Sequence, residues 1–197
     1  KYLDIKDYKI LKINEKQACA SCGQNILMQN FIKSYKKQKI KVSQILLTFS
    51  EIEDRKKNLN VRETINTLLE YGVIPVINEN DSVATDELKF GDNDSLSASL
   101  SILINASLLI ILTEVDGLMD ADGNLIPHIN DINEAMNHVR LEKGKYSVGG
   151  MATKLEAASM ASRSGITTLI ANGRRTNQLE DLVKGEGVYT KICIGNE

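Results

Sequence analysis

Four short polar clusters stand out by residue type and spacing. The first, Asn78-Glu79-Asn80-Asp81-Ser82, follows an apolar run. Amides and carboxylates at the end of a buried strand suit recognition of a small polar molecule, although Asn and Asp also favour plain turns. The second, Gly91-Asp92-Asn93-Asp94-Ser95, crowds two carboxylates and an amide onto what reads as a helix start. Asp94 or Ser95 is a candidate N-cap there. Capping needs only one such residue, and a second carboxylate suits the orienting of cations or a nucleophile. The third is Gly149-Gly150-Met151-Ala152-Thr153-Lys154. Two glycines followed by a helix bring bare backbone N–H groups toward an anion. Lys154 reads as part of the first helical turn, where a cation opposes the helix dipole unless an anion is bound. This is the clearest physical pointer to phosphate chemistry in the chain. The spacing is not that of a P-loop, and a glycine loop with a surface lysine has the same pattern. The fourth cluster, Thr113-Glu114-Val115-Asp116-Gly117-Leu118, ends a strand with an Asp-Gly turn. Just beyond it, Asp120-Ala121-Asp122-Gly123-Asn124 fails as a calcium loop because its sixth position is Leu125 rather than glycine.

These clusters need a scaffold that presents them. Hydrophobic periodicity predicts helices over 14–35, 51–71, 95–104, 132–141, 152–164 and 177–183. Strands are expected over 42–48, 73–78, 107–113, 166–171 and 187–194. Residues 82–90 read as a short hairpin or extended excursion, 117–127 as turns, and 141–150 as a loop. The first helix ends in a basic run (Lys33, Lys36, Lys37, Lys39, Lys41), which complements its dipole and needs no ligand. Apolar strands separated by helices imply a mostly parallel sheet covered on both faces, an α/β fold. Ligands of such sheets sit outside the carboxyl ends of the strands, where the polar clusters fall.

With 197 residues the chain is long enough for one domain or slightly more, with a core that needs no disulfides. Its net charge of -2 gives no electrostatic footprint for nucleic acid or for an anionic membrane. The uncharged run between Asp94 and Glu114 approaches the length of a membrane span, but Ser95, Ser97, Ser99, Ser101, Asn105 and Ser107 interrupt it. A buried helix followed by a buried strand accounts for it better. The sequence shows no signal-peptide pattern, and the expected location is the cytoplasm. Three cysteines argue against a disulfide framework. Cys19 and Cys22 form a C-x-x-C inside a helical segment, and His128 and His138 stand at no metal spacing. Two small buried residues on one helix face is the simpler reading of the cysteine pair. The N-x-S patterns at Asn80, Asn93 and Asn105 carry no meaning without a secretory context.

Taken in order, the segments resemble the amino acid kinase family, and within it the glutamate 5-kinases. The run VIPVINENDSVATDELKFGDNDSLSA from Val73 to Ala98 looks like their glutamate-binding core. LLIILTEVDGL looks like the nucleotide-side strand and turn, and GGMATKLEAA like the phosphate-lysine helix. KQACASCGQ and the R-x-x-x-L-N segment starting at Arg55 also fit. The resemblance implies a three-layer αβα sandwich with a central, mostly parallel sheet. It also implies transfer of the γ-phosphate of ATP to the side-chain carboxylate of L-glutamate, the first step toward proline. Asn78, Asp81 and Asn93 would contact glutamate, with Asp81 suited to its α-amino group. Asp94 would position the active lysines, and Lys154 would stabilise the transferring phosphoryl group. Val148, Gly149, Gly150, Met151, Ala152 and Thr153 would line the phosphates, while Thr113 and Glu114 would touch the nucleoside. Mg2+ would arrive with ATP and no separate protein metal site is implied. Proline as a feedback inhibitor and self-association of the chain are expected from the same resemblance.

The family's V-K-x-G-[ST] phosphate loop and S-G-A strand end are not in this sequence. The expectation is that they belong to sequence upstream of Lys1, so that the chain is a single kinase domain without its N-terminal strands and without a C-terminal PUA domain. Glu114 stands where the family usually has aspartate, Val148 where threonine often precedes the glycines, and Met119 where tyrosine is common. Two other readings fit less of the pattern: another member such as an acetylglutamate kinase, or a regulatory domain that binds glutamate, proline or nucleotide without turnover. A protein starting at Lys1 should be nearly inactive beside one extended upstream; equal turnover of the two would refute the expectation.

Overall fold

The computed structural model describes residues 11–84, 92–141 and 148–193, with 138–141 and 148–149 as backbone alone. The chain divides into two compact units, Lys1–Asn93 and Asp94–Glu197.

In the first unit, helix α1 (Ile13–Lys36) leads to strand β1 (Lys41–Leu47). The single helix expected over 51–71 is two, α2 (Phe49–Glu53) and α3 (Arg55–Glu70). The break has a local cause. Asp54 is extended, at φ -71° and ψ 116°, and its carboxylate accepts from the N–H groups of Lys56 and Lys57 at 3.0 and 2.9 Å. An aspartate that caps a new helix cannot continue the old one. Gly72, at φ +67°, then ends α3 and turns the chain into strand β2 (Val73–Glu79). β1 and β2 pair in parallel from Lys41–Val73 to Leu47–Glu79. Met28, Leu47 and Ile65, from α1, β1 and α3, and Ala84 after β2 are the buried apolar residues among those described in this unit. Cys19 and Cys22 are half-buried on α1 rather than fully buried as expected.

The second unit opens with α4 (Asn93–Leu103), followed by β3 (Leu108–Thr113), so the uncharged run is a helix and a strand as expected. Strand β4 (His128–Ile129), between the expected turns and helix where no element was assigned, precedes α5 (Ile132–Leu141). Then come α6 (Val148–Arg163), β5 (Thr167–Asn172), α7 (Gln178–Val183) and β6 (Tyr189–Ile192). The strands lie in the order β3-β5-β6-β4. β3–β5 and β4–β6 are parallel, and β5–β6 is antiparallel. The fold is therefore α/β with mostly parallel strands.

Strand alternation explains the core of this unit. Leu109 and Ile111 of β3, Ile170 of β5 and Ile192 of β6 turn to one face, where Ala98 of α4 and Leu155, Ala157, Ala158 and Ala161 of α6 join them in one cluster. Leu169 and Ala171 turn to the other face and pack with Leu182 of α7, flanked by Leu108, Ile110 and Tyr189. Both faces are covered, which is why these strands read as unbroken apolar runs.

The Asp116-Gly117 pair is more than turn chemistry. A Cβ on Gly117 would meet Thr190 Oγ1 at 2.4 Å and Leu125 Cδ1 at 2.7 Å. The buried Thr190 hydroxyl accepts from Leu118 N at 2.8 Å and donates to the Ile126 carbonyl at 2.7 Å, so the chain must pass close to β6 here. Among the described residues no helix is long and apolar enough to cross a membrane. Two expectations lie partly outside the described residues: the excursion over 82–90, described only to Ala84, and the loop over 141–150, where 142–147 are not described.

Glu51 locks the start of α2. Its carboxylate accepts from the Thr48 N–H at 2.7 Å and the Thr48 hydroxyl at 2.6 Å. Burial opposes its ionisation, but these bonds, with Ser50 and Lys57, outweigh burial and hold the group at about 2 rather than 4.5. A carboxylate lowered on folding stabilises fully above its unfolded value and loses that contribution as pH falls toward the folded value. Glu51→Gln should therefore cost about 1 kcal/mol at neutral pH. The gap from wild type should close between pH 4.5 and pH 2, followed by urea unfolding.

Candidate active site

The second unit brings three of the expected site residues together. Lys154 Nζ lies 2.7 Å from Asp94 Oδ2, across 60 residues of sequence. The side chains are 17% and 18% exposed, so the pair is largely withdrawn from solvent yet reachable. The Thr153 hydroxyl donates to the Gly150 carbonyl at 3.1 Å and stands 3.4 Å from the same Asp94 oxygen.

Helix ends explain the arrangement, with two corrections to the sequence reading. α4 begins at Asn93, not Ser95, so Asp94 is a residue of the first turn and not its cap. Its side chain is thereby free to reach Lys154. α6 begins at Val148, not Ala152, so the glycine pair is inside the first turn and Lys154 is in the second. The cost of placing a cation near a positive helix end is thus smaller than the sequence suggested, and Asp94 offsets what remains. The first-turn N–H groups of α6, from Val148 to Met151, have no partner inside the helix and remain the natural anion donors. Leu155, next to Lys154, is fully buried in the core cluster together with Ala98 of α4. That anchoring fixes the root of the lysine and the start of α4 against the same sheet face.

At the carboxyl end of β3, Thr113 pairs with Asn172 of β5, and its carbonyl accepts from Gly173 N at 2.9 Å. Glu114 is 77% exposed and forms an ion pair with Arg174. Asp116 accepts from Arg175 at 2.5 and 3.0 Å and from Asn172 Nδ2 at 3.0 Å. The Arg175 guanidinium, aided by Asn172, keeps the Asp116 carboxyl below its ordinary range. In the loop beyond, the Asp120 carboxylate is occupied by the backbone N–H groups of Asp122 and Asn124.

In the first unit, Asn78 and Asp81 lie at the carboxyl end of β2 and in the turn after it. Asn78 Nδ2 donates to Gln24 Oε1 of α1 at 3.1 Å. Asp81 is exposed, with no hydrogen bond or ion pair among the described residues. Asn93, which opens α4, is also exposed.

The description "Amino acid kinase family" fits residues 2–172 of the sequence. The chain belongs to the amino acid kinase family. Among its relatives, glutamate 5-kinase of Pasteurella multocida is 44% identical over 189 residues, which is 92% of this chain and 52% of that protein. Glutamate 5-kinase of Clostridium acetobutylicum is 40% identical over 192 residues, 94% of this chain and 72% of that protein. The chain spans about half the length of most of the curated relatives it matches, as with the 52% for Pasteurella multocida. The fold agrees with solved structures of low identity. Carbamate kinase from Giardia lamblia, bound to AMP-PNP, superposes with a TM-score of 0.64 at 16% identity, covering 91% of this chain and 73% of that one. UMP kinase from Ureaplasma parvum gives 0.61 at 17% identity, covering 93% and 73%.

Three polar side chains of this amino acid kinase escaped the sequence reading. Asn172, Arg174 and Arg175 follow β5 and reach across to the β3 turn. The signal was present in the Asn-Gly-Arg-Arg run after an apolar strand, but only strand pairing says which turn it meets. Gln24 escaped as well, because its partner is 54 residues away.

The buried character of the Asp94–Lys154 pair makes a sharp expectation. Removing Asp94 alone leaves a cation in a poorly solvated place, whereas removing both charges does not. Asp94→Ala should lose more stability than the double variant Asp94→Ala with Lys154→Met, with a coupling of about 1–3 kcal/mol by urea unfolding. Strict additivity of the single variants would show that the two charges do not interact.

Proposed function

We propose that this chain carries the kinase domain of a glutamate 5-kinase, which transfers the γ-phosphoryl group of ATP to the γ-carboxylate of L-glutamate. The observation that carries the reading is the Lys154 ammonium held on Asp94 where α6 begins, in a chain 44% identical to a glutamate 5-kinase.

The residue types suit the chemistry. A carboxylate is a nucleophile at neutral pH, so no general base is required. One of its oxygens forms a bond to the γ-phosphorus while the bond to the ADP oxygen breaks. The obstacle is the meeting of two anions, so catalysis reduces to positioning and charge stabilisation. Lys154 supplies a cation whose direction Asp94 fixes in advance, and fixed charge of this kind stabilises a transition state without reorganising. The first turn of α6, from Val148 through Gly149, Gly150 and Met151 to Ala152, supplies N–H donors for phosphate oxygens, with Thr153 beside them. Thr113 and Glu114 serve the nucleoside side. Asn78, Asp81 and Asn93 grip the amino acid, with the unpaired Asp81 carboxylate taking its ammonium. Mg2+ would be carried in by the phosphates of ATP. Bound there, it would neutralise phosphate charge. Proline as an inhibitor and self-association belong to the same proposal.

The test is ADP release by the protein in its full encoded length, with L-glutamate, N-acetyl-L-glutamate, L-aspartate and carbamate as acceptors. Release with L-glutamate alone, and trapping of the product as a hydroxamate, are expected. Lys154→Ala should lower kcat by about 10²–10³-fold. Turnover of N-acetyl-L-glutamate without L-glutamate, or binding of L-glutamate and ATP with no ADP release, would overturn the proposal.

A further inference from the structure

The run Lys16-Gln17-Ala18-Cys19-Ala20-Ser21-Cys22-Gly23-Gln24 has no task in the mechanism above. Its two glutamines are seven residues apart, two turns of α1, and so share one helix face. Gln24 reaches the end of β2 and Gln17 the turn that follows it. Gln17 Nε2 donates to the Ala84 carbonyl at 3.2 Å, and Gln24 Oε1 accepts from Asn78 Nδ2 at 3.1 Å. The face of α1 thus runs alongside residues 78–84, which include Asn78 and Asp81. Ala84 is fully buried, and the 80–84 turn is closed by Asn80 accepting from Val83 N and Ala84 N. Gln17 is accordingly a positioning residue for that turn.

Gln24 is different, because half of its amide is unused. With Oε1 engaged by Asn78, the Nε2 group remains, and it is buried without any hydrogen-bond partner. A primary amide carries two N–H donors there. Donors shut away from water with no acceptor oppose folding, so a buried pair of them in a polar neighbourhood points to an acceptor that arrives later. The surroundings define the acceptor. Asn78 has one N–H committed to Gln24 and keeps its other N–H and its oxygen, and Asp81 presents an unpaired carboxylate in the turn beyond. A group that takes N–H donors from amides, on a molecule that also offers a cation to Asp81, is the carboxylate of an amino acid.

We propose that Gln24 is a substrate-binding residue whose buried amide nitrogen donates to a carboxylate oxygen of the amino acid substrate, while its oxygen holds Asn78 in the orientation to do the same. The proposal rests on the glutamate reading and adds a residue from α1 to that site. It also separates the two sides of Gln24. Gln24→Glu keeps an acceptor for Asn78 but places a like charge where the substrate carboxylate binds. Gln24→Met keeps the volume and removes both polar ends.

The experiment measures L-glutamate protection against thermal unfolding, without nucleotide, and the KM for each substrate, in the protein at its full encoded length. Expected for Gln24→Met is a melting temperature close to that of wild type, because the unsatisfied buried donor is gone but so is the acceptor that Asn78 uses. Its KM for L-glutamate should rise about 10- to 100-fold, the worth of a hydrogen bond to a charged group, with the KM for ATP within about twofold. Gln24→Glu should bind L-glutamate more weakly than Gln24→Met. Wild-type protection with an unchanged response in Gln24→Met overturns the inference alone, as does Gln24→Glu binding more tightly than Gln24→Met. Wild type without any response to L-glutamate overturns the function itself, and the inference with it.

Discussion

One cation on one carboxylate governs what the second unit can do. Lys154 and Asp94 are 60 residues apart in sequence and 2.7 Å apart in space. The contact exists because the start of α4 and the second turn of α6 are anchored in a single apolar cluster on one face of the β3–β5 sheet. The anchors beside the pair are small or fully buried: Ala98 on α4, and Leu155, Ala157, Ala158 and Ala161 on α6. Small side chains let a helix approach a sheet closely, and tightly packed interiors resist displacement. A lysine on a loosely packed helix would spend its time in water. Here its direction is set by packing and by Asp94.

The polar ends of the parallel strands show how such a scaffold supports chemistry without weakening itself. At the end of β3 the backbone turns sharply, and several of its polar groups find partners. Thr190 serves Leu118 and Ile126, Asn172 and Arg175 serve Asp116, and Thr113 serves Gly173. This spares the segment the cost of buried unpaired groups. The exposed Glu114–Arg174 pair adds little stability, because solvent screens it. Three buried polar atoms among the described residues lack a partner: the amide nitrogen of Gln24 on α1, the hydroxyl of Ser43 on β1 and the hydroxyl of Thr168 on β5.

Element boundaries followed from local chemistry wherever they were missed. Asp54 split one expected helix because its side chain bonds to the next two N–H groups more readily than its backbone continues a helix. α4 and α6 began earlier than expected because a first turn tolerates asparagine, aspartate and glycine, whose N–H groups have no intrahelical partner to lose. The antiparallel seating of β6 and the short β4 could not be seen in periodicity, since a strand of either direction has the same alternation.

The sequence by itself determined the α/β class, the order of most helices and strands, and the chemical character of each strand end, because apolar periodicity and polar clusters are local properties. It also singled out Asp94, Lys154, Asn78 and Asp81, whose types and spacing form a recognisable pattern. Only the tertiary structure decided that Lys154 rests on Asp94, that Arg175 and Asn172 hold Asp116, and that Gln24 faces Asn78. The physical reason is the same in each case. A hydrogen bond reaches about 3 Å, and which side chains come within that reach of each other is set by how distant helices and strands pack, a property that no window of sequence contains.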